Sequence, residues 1–214
     1  MWPWFVCLVL IMVAAIALIL ALRNRTGKNT QVAAHADDDT RAETDISILH
    51  NYTDIKVDGP ETAFLALKDA SGQLGIQDIS SELSFLKEDE VFDNTFYTFE
   101  QKYEELPVYG RKETLVTDST GTVLAVAGNY ENLKGIETSP QIKEDEALSI
   151  ASEYYGENAE IDSNGLVIYS LFDTTPQLSW DLFVQTEELY EECIVSAING
   201  ELLLTNPLMA FSGI

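Results

Sequence analysis

Hydrophobic and polar positions alternate from Phe96 to Tyr103. Tyr97, Phe99, Gln101 and Tyr103 fall on one face, and Phe96, Thr98, Glu100 and Lys102 on the other, the period-2 pattern of a half-buried strand. Leu106-Pro107-Val108-Tyr109-Gly110 interrupts the pattern and predicts a corner, because Pro cannot donate to a ladder and Gly accepts the φ of a sharp bend. A second strand is predicted over Glu113 to Thr117 and a third over Thr122 to Ala127. Between them Asp118-Ser119-Thr120-Gly121 has the polar residues and closing Gly of a tight hairpin.

Helical spacing flanks this sheet. Pro60 suits the first turn of a helix running through Ala63, Leu67 and Ala70 to a break at Ser71-Gly72. Ala147, Ile150, Ala151, Tyr154 and Tyr155 fall at i, i+3, i+4, i+7 and i+8, ahead of the stop at Gly156. Glu144, Asp145 and Glu146 crowd the first turn of that helix, where its dipole favours negative charge. Strands are then predicted at 166–172, 178–184 and 190–198, and at 201–204 after an Asn199-Gly200 hairpin. Leu178, Trp180, Leu182 and Val184 share a core face. The polar stretch with Pro140 between Thr138 and Glu144 marks a domain boundary. The expected class is therefore α+β, two small modules each with a helix packed on an antiparallel sheet.

The N-terminal end differs in kind. Trp2 to Leu22 carries no charge over 21 positions, about 31 Å of helix and enough to cross a hydrocarbon core of about 30 Å. The run predicts a transmembrane helix with Trp2 and Trp4 as interfacial anchors. A cleaved signal peptide fits less well, because no Lys or Arg precedes the run and Ala34-His35-Ala36 lies far beyond it. Residues 23–58 read as an acidic polar linker, helical around 41–50. The predicted organisation is thus a membrane helix at 1–22, the linker at 23–58, modules at 59–138 and 139–206, and a tail at 207–214.

Charge narrows the partners. Residues 29–214 hold all 36 acidic side chains and nine of the 12 basic ones, a formal charge of −27. Affinity for phosphate backbones rests on Lys and Arg, so nucleic acid is excluded as a partner. The basic residues nearest the membrane, Arg23, Arg25 and Lys28, follow the helix. By the positive-inside rule they favour a cytoplasmic globular part, although long domains translocate largely regardless of charge.

Candidate chemistry is sparse. The two histidines, His35 and His50, lie 15 positions apart without metal-ligand spacing around them, and Asp37-Asp38-Asp39 lacks the alternating ligands and central Gly of a calcium loop. Cys193 sits in a strand pattern with no nearby His and reads as a core filler, and Cys7 lies in the apolar run. The expectation is no catalytic residue, no cofactor-binding residue, no metal ligand and no enzymatic activity.

Within 96–128, Phe99, Gln101, Tyr103, Leu106, Pro107, Val108, Gly110, Asp118 and Gly121 occupy the positions of a recurring motif. That segment resembles the fungalysin/thermolysin propeptide domain, the pro-region of secreted zinc metallopeptidases. Glu105 departs from it, standing where the family usually has Gly, and Thr98 stands where a basic residue is common. Pro140-Gln141-Ile142, Glu144 to Ala151, and Ser196 to Leu203 resemble the PepSY-type domain that follows in such pro-regions. The resemblance implies that the globular part is exported; together with the apolar run, the expectation is a membrane-anchored, single-pass protein with its globular part outside the cytoplasm. It would act by binding, as inhibitor or folding assistant of a secreted zinc metallopeptidase in trans, because the chain has no His-Glu-x-x-His. A cell-surface scaffold module and a metallopeptidase precursor truncated before its catalytic domain are the alternatives.

Overall fold

The computed structural model describes residues 47–156, 158–171 and 174–210. The predicted membrane helix, the linker to residue 46 and the last four residues of the predicted tail lie outside them. No helix among the described residues is long and apolar enough to cross a membrane.

The elements are β1 (Ser47–His50), α1 (Pro60–Leu74), α2 (Ile79–Glu82), β2 (Leu83–Val91), β3 (Asn94–Tyr103), β4 (Leu106–Asp118), β5 (Val123–Gly128), α3 (Glu144–Tyr155), β6 (Glu160–Tyr169), β7 (Gln177–Gln185), β8 (Leu189–Ser196) and β9 (Leu202–Ala210). The fold is α+β and mostly sheet. Strands β2-β3-β4-β5-β1 form an antiparallel ladder, and β6-β7-β8-β9 form an antiparallel meander. They join through β4, whose Val108 pairs in parallel with Ile168 of β6. The 13 residues of β4 thus serve both ladders, its later part lying between β3 and β5 and its first part beside β6.

Each ladder has its own core. Ala63, Ala66, Leu67, Ala70 and Leu74 form one buried face of α1, and the three alanines let the helix sit close to the sheet. Beneath it lie Tyr97, Phe99, Leu115, Val123 and Val126. In the second core Ala147 and Ala151 of α3 pack with Leu178, Leu182, Val184 and Cys193, and β4 contributes Val108. The α1 helix starts at Pro60, whose missing N–H is no loss there. It runs past Ser71-Gly72 to Leu74 and stops at Gly75, which takes the left-handed φ of 78°. The break expected at Gly72 is absent because one helical Gly costs only about 1 kcal/mol, which burial of Leu74 offsets. The α3 helix matches its predicted span, with Glu146 Oε2 accepting the Lys143 N–H at 2.9 Å.

Three local expectations are corrected. Leu106 to Gly110 is strand; the reversal lies one step earlier, at Glu104-Glu105, with φ of 48° and 70°. A two-residue turn with both residues left-handed matches the twist of a hairpin, and Pro107 sits where the ladder has just begun. Ser47–His50 is a strand paired with β5 rather than helix, and Val57 N–H donates to Gly121 O at 2.8 Å. Four residues are too few for their period to separate the two states. Finally, β9 continues through Pro207 to Ala210 opposite Glu191, Tyr190 and Leu189. Pro is tolerated there because β9 is an edge strand.

Candidate functional site

The polar residues of the 99–121 motif, Gln101, Tyr103 and Asp118, are bonded to backbone. Gln101 is buried, and its amide brackets residue 131: Nε2 donates to Glu131 O at 2.6 Å and Oε1 accepts the Glu131 N–H at 3.0 Å. The Tyr103 hydroxyl accepts the Ile136 N–H at 3.2 Å. Asp118 Oδ1 accepts from Thr120 N, Thr120 Oγ1 and Thr122 N at 2.8, 2.7 and 3.0 Å. These bonds hold its carboxyl down at about 2. Gly121 has φ of 74°, and a Cβ there would lie 2.2 Å from Val57 O. At Glu105 the left-handed backbone explains why Gly is usual at that position of the motif.

The bonds of Gln101 and Tyr103 fasten the irregular connector 129–143. Arg111 adds to them: Nη1 donates to Asn129 O at 3.2 Å, and Nη2 to Glu131 Oε2 at 2.6 Å and to Ser170 O at 2.8 Å. Further along, Gln141 and Ile142 donate backbone N–H to Ala197 O, and Trp180 Nε1 donates to Ile142 O at 2.9 Å. The connector is thus tied to both ladders.

Of the three buried carboxylates outside the motif, Glu191 accepts from the Tyr155 hydroxyl, and the other two each have an oxygen without a partner among the described residues. Glu113 is 1% exposed; Oε1 accepts the Tyr130 N–H at 3.0 Å, while Oε2 has no partner among the described residues. A Cβ at Gly128 would overlap this carboxyl at 2.1 Å, so Gly128 makes the room it occupies. Burial pushes Glu113 up to about 7. The buried Tyr52 hydroxyl also lacks a partner among the described residues, and burial, then Asp69 and Glu113, push it above the usual phenol range. On the meander, Asp181 accepts from Asn164 Nδ2 at 2.7 Å, but its Oδ1 has no partner among the described residues. Burial, then neighbouring Glu192, raise Asp181 to about 6. Glu192 in turn accepts from the Tyr109 hydroxyl and from Asn206 Nδ2.

Neither Glu113 nor Asp181 was singled out in the sequence. Glu113 was detectable, because it lies two positions before Leu115 and shares its inward face. Asp181 gave no signal: it alternates with Trp180 and Leu182, and such a position reads as solvent-facing. Cys193 is fully buried, and burial pushes its thiol up to about 11, the state of an inert thiol. His50 lies on β1, whereas His35, Cys7 and Asp37-Asp38-Asp39 fall outside the described residues. No group of three or more His, Cys, Asp or Glu positioned to hold a metal occurs among the described residues. Glu113 and Asp181 belong to different ladders.

The chain matches no protein family and no curated protein by sequence. Among solved structures it is similar to the Bacillus megaterium YpeB C-terminal domain, with 11% identity and a TM-score of 0.41 over 72% of this chain and 67% of that one.

Proposed function

We propose that the chain is a propeptide-like binding module, held at the outer face of a membrane by the apolar run 2–22, that inhibits a secreted zinc metallopeptidase or assists its folding. One observation carries this reading. Gln101, Tyr103, Asp118 and Gly121, the residues on which the propeptide resemblance rests, all act on backbone of this same chain. Residues used in this way build a stable surface, and a preformed sheet surface can act on a partner by packing against it. The order of α3 followed by four strands supports a PepSY-like assignment for the second module. The acidic balance of −24 disfavours phosphate-bearing and anionic-lipid partners.

The test is enzymatic. The purified full-length chain, added to secreted zinc metallopeptidases of the source organism, is expected to slow substrate cleavage or to raise the yield of active enzyme on refolding. If it does neither for any of them, the reading fails. A reporter fused after Ile214 that works only on the outer side confirms orientation; activity only in the cytoplasm refutes export.

A further inference from the structure

Phe92 breaks two of the fold's own rules at one position. Val91 pairs with Asn94 across the β2–β3 reversal, so Phe92 and Asp93 are its two central residues. Phe92 is left-handed, with φ of 56°. Glycine, or failing that Asn or Asp, fills such a position without strain, whereas a bulky side chain there is an outlier. The residue is also 94% exposed, so burial returns nothing for the strain. Phe85 on the preceding strand β2 is 43% exposed and still meets Phe99 edge-on at 5.7 Å, as a side chain used in folding would.

The surroundings are as uneven as the residue. Glu88, Asp89 and Glu90 precede it and Asp93 follows, all of them exposed. The one cation of the strand, Lys87, is paired with Asp89 at 2.6 Å. Glu90, Asp93 and Asp118 also line a shallow cleft beside the ring. The hairpin tip therefore holds out one aromatic side chain inside a collar of carboxylates. Interface energy concentrates in aromatic anchors that enter desolvated pockets, and charge around them steers the encounter. We propose that Phe92 is such an anchor, and that the β2–β3 tip docks into an apolar pocket rimmed by lysine and arginine on a different folded protein. The proposal does not depend on that protein being a peptidase.

Photo-cross-linking in cells of the source organism tests it, with the full-length chain carrying p-benzoylphenylalanine at position 92. The expected adduct is with a protein other than this chain. That protein, purified, should bind Phe92→Gly about 10- to 30-fold more weakly than wild type, while Phe92→Trp keeps most of the affinity. Glu90→Gln with Asp93→Asn should slow association and flatten its salt dependence. Phe92→Gly should melt no lower than wild type, since it relieves strain; a clear fall would make Phe92 a folding residue and overturn the proposal. Failure to form an adduct, an adduct only with a second copy of the chain or with lipid, or affinity unmoved by Phe92→Gly would each overturn it as well. A metallopeptidase in the adduct supports the proposed function too; another protein leaves the anchor standing and counts against that function.

Discussion

At the residue scale, the buried carboxyl of Glu113 governs a pH dependence. Its value in the folded chain is about 7, above the 4.5 of an exposed glutamate. Below pH 4.5 both folded and unfolded chains hold the proton and the site contributes fully. As pH rises through 7 the folded chain must bury a charge, and up to about 3 kcal/mol is lost. Asp181 adds a loss of the same sign, ending near its value of about 6. Urea unfolding should therefore show wild type more stable at pH 4.5 than at pH 8, with Glu113→Gln flattening the profile and exceeding wild type at pH 8. Backbone conformation sets a second pair of outcomes. Gly121→Ala should cost about 1–3 kcal/mol, since the new Cβ meets the Val57 carbonyl rather than a movable side chain. Glu105→Gly should instead gain about 0.5–1 kcal/mol, because the surface ion pair it gives up with Lys102 is worth little.

At the scale of elements, legibility followed the length of the period. The helix around Ala147, Ile150 and Ala151 was readable to the residue because apolar side chains recur over three turns and acidic residues mark its start. Strand β7 was equally plain from Leu178, Trp180, Leu182 and Val184. What escaped were features set by distant partners. The strand character of Ser47–His50 depends on β5, some 75 positions later, and the pairing of Leu106 to Val108 depends on β3 and β6. Of the candidate site, the motif was visible as residue types, but its use was not. That Gln101 grips residue 131 follows only from the path of the connector. Trp180 shows the same coupling between elements: Trp180→Phe should cost about 1–2 kcal/mol, because it leaves the Ile142 carbonyl without its indole donor. Thermal unfolding followed by near-UV dichroism would register this.

At the scale of the molecule, the two ladders should melt together. Val108 lies in the second core although it belongs to a strand of the first ladder, and Arg111 joins the connector to the end of β6. Val108→Ala, losing about 2 kcal/mol of burial, should lower a single shared transition rather than split it. Coincident fluorescence and dichroism curves would verify this; two separate transitions would refute it. The whole-chain charge of −24 makes folding a matter of ionic strength as well, because self-repulsion opposes compaction. Raising salt from low to physiological levels should lift the midpoint of melting.

One consequence of β4 serving two ladders concerns dissection of the protein. A fragment ending before α3 would keep the first ladder but leave β4 around Val108 with a naked hydrogen-bonding margin where β6 had been. Such margins recruit strands from neighbouring molecules, so the amputated half should oligomerise as its concentration rises. The complementary half, missing Val108, would begin life with a hole in its interior.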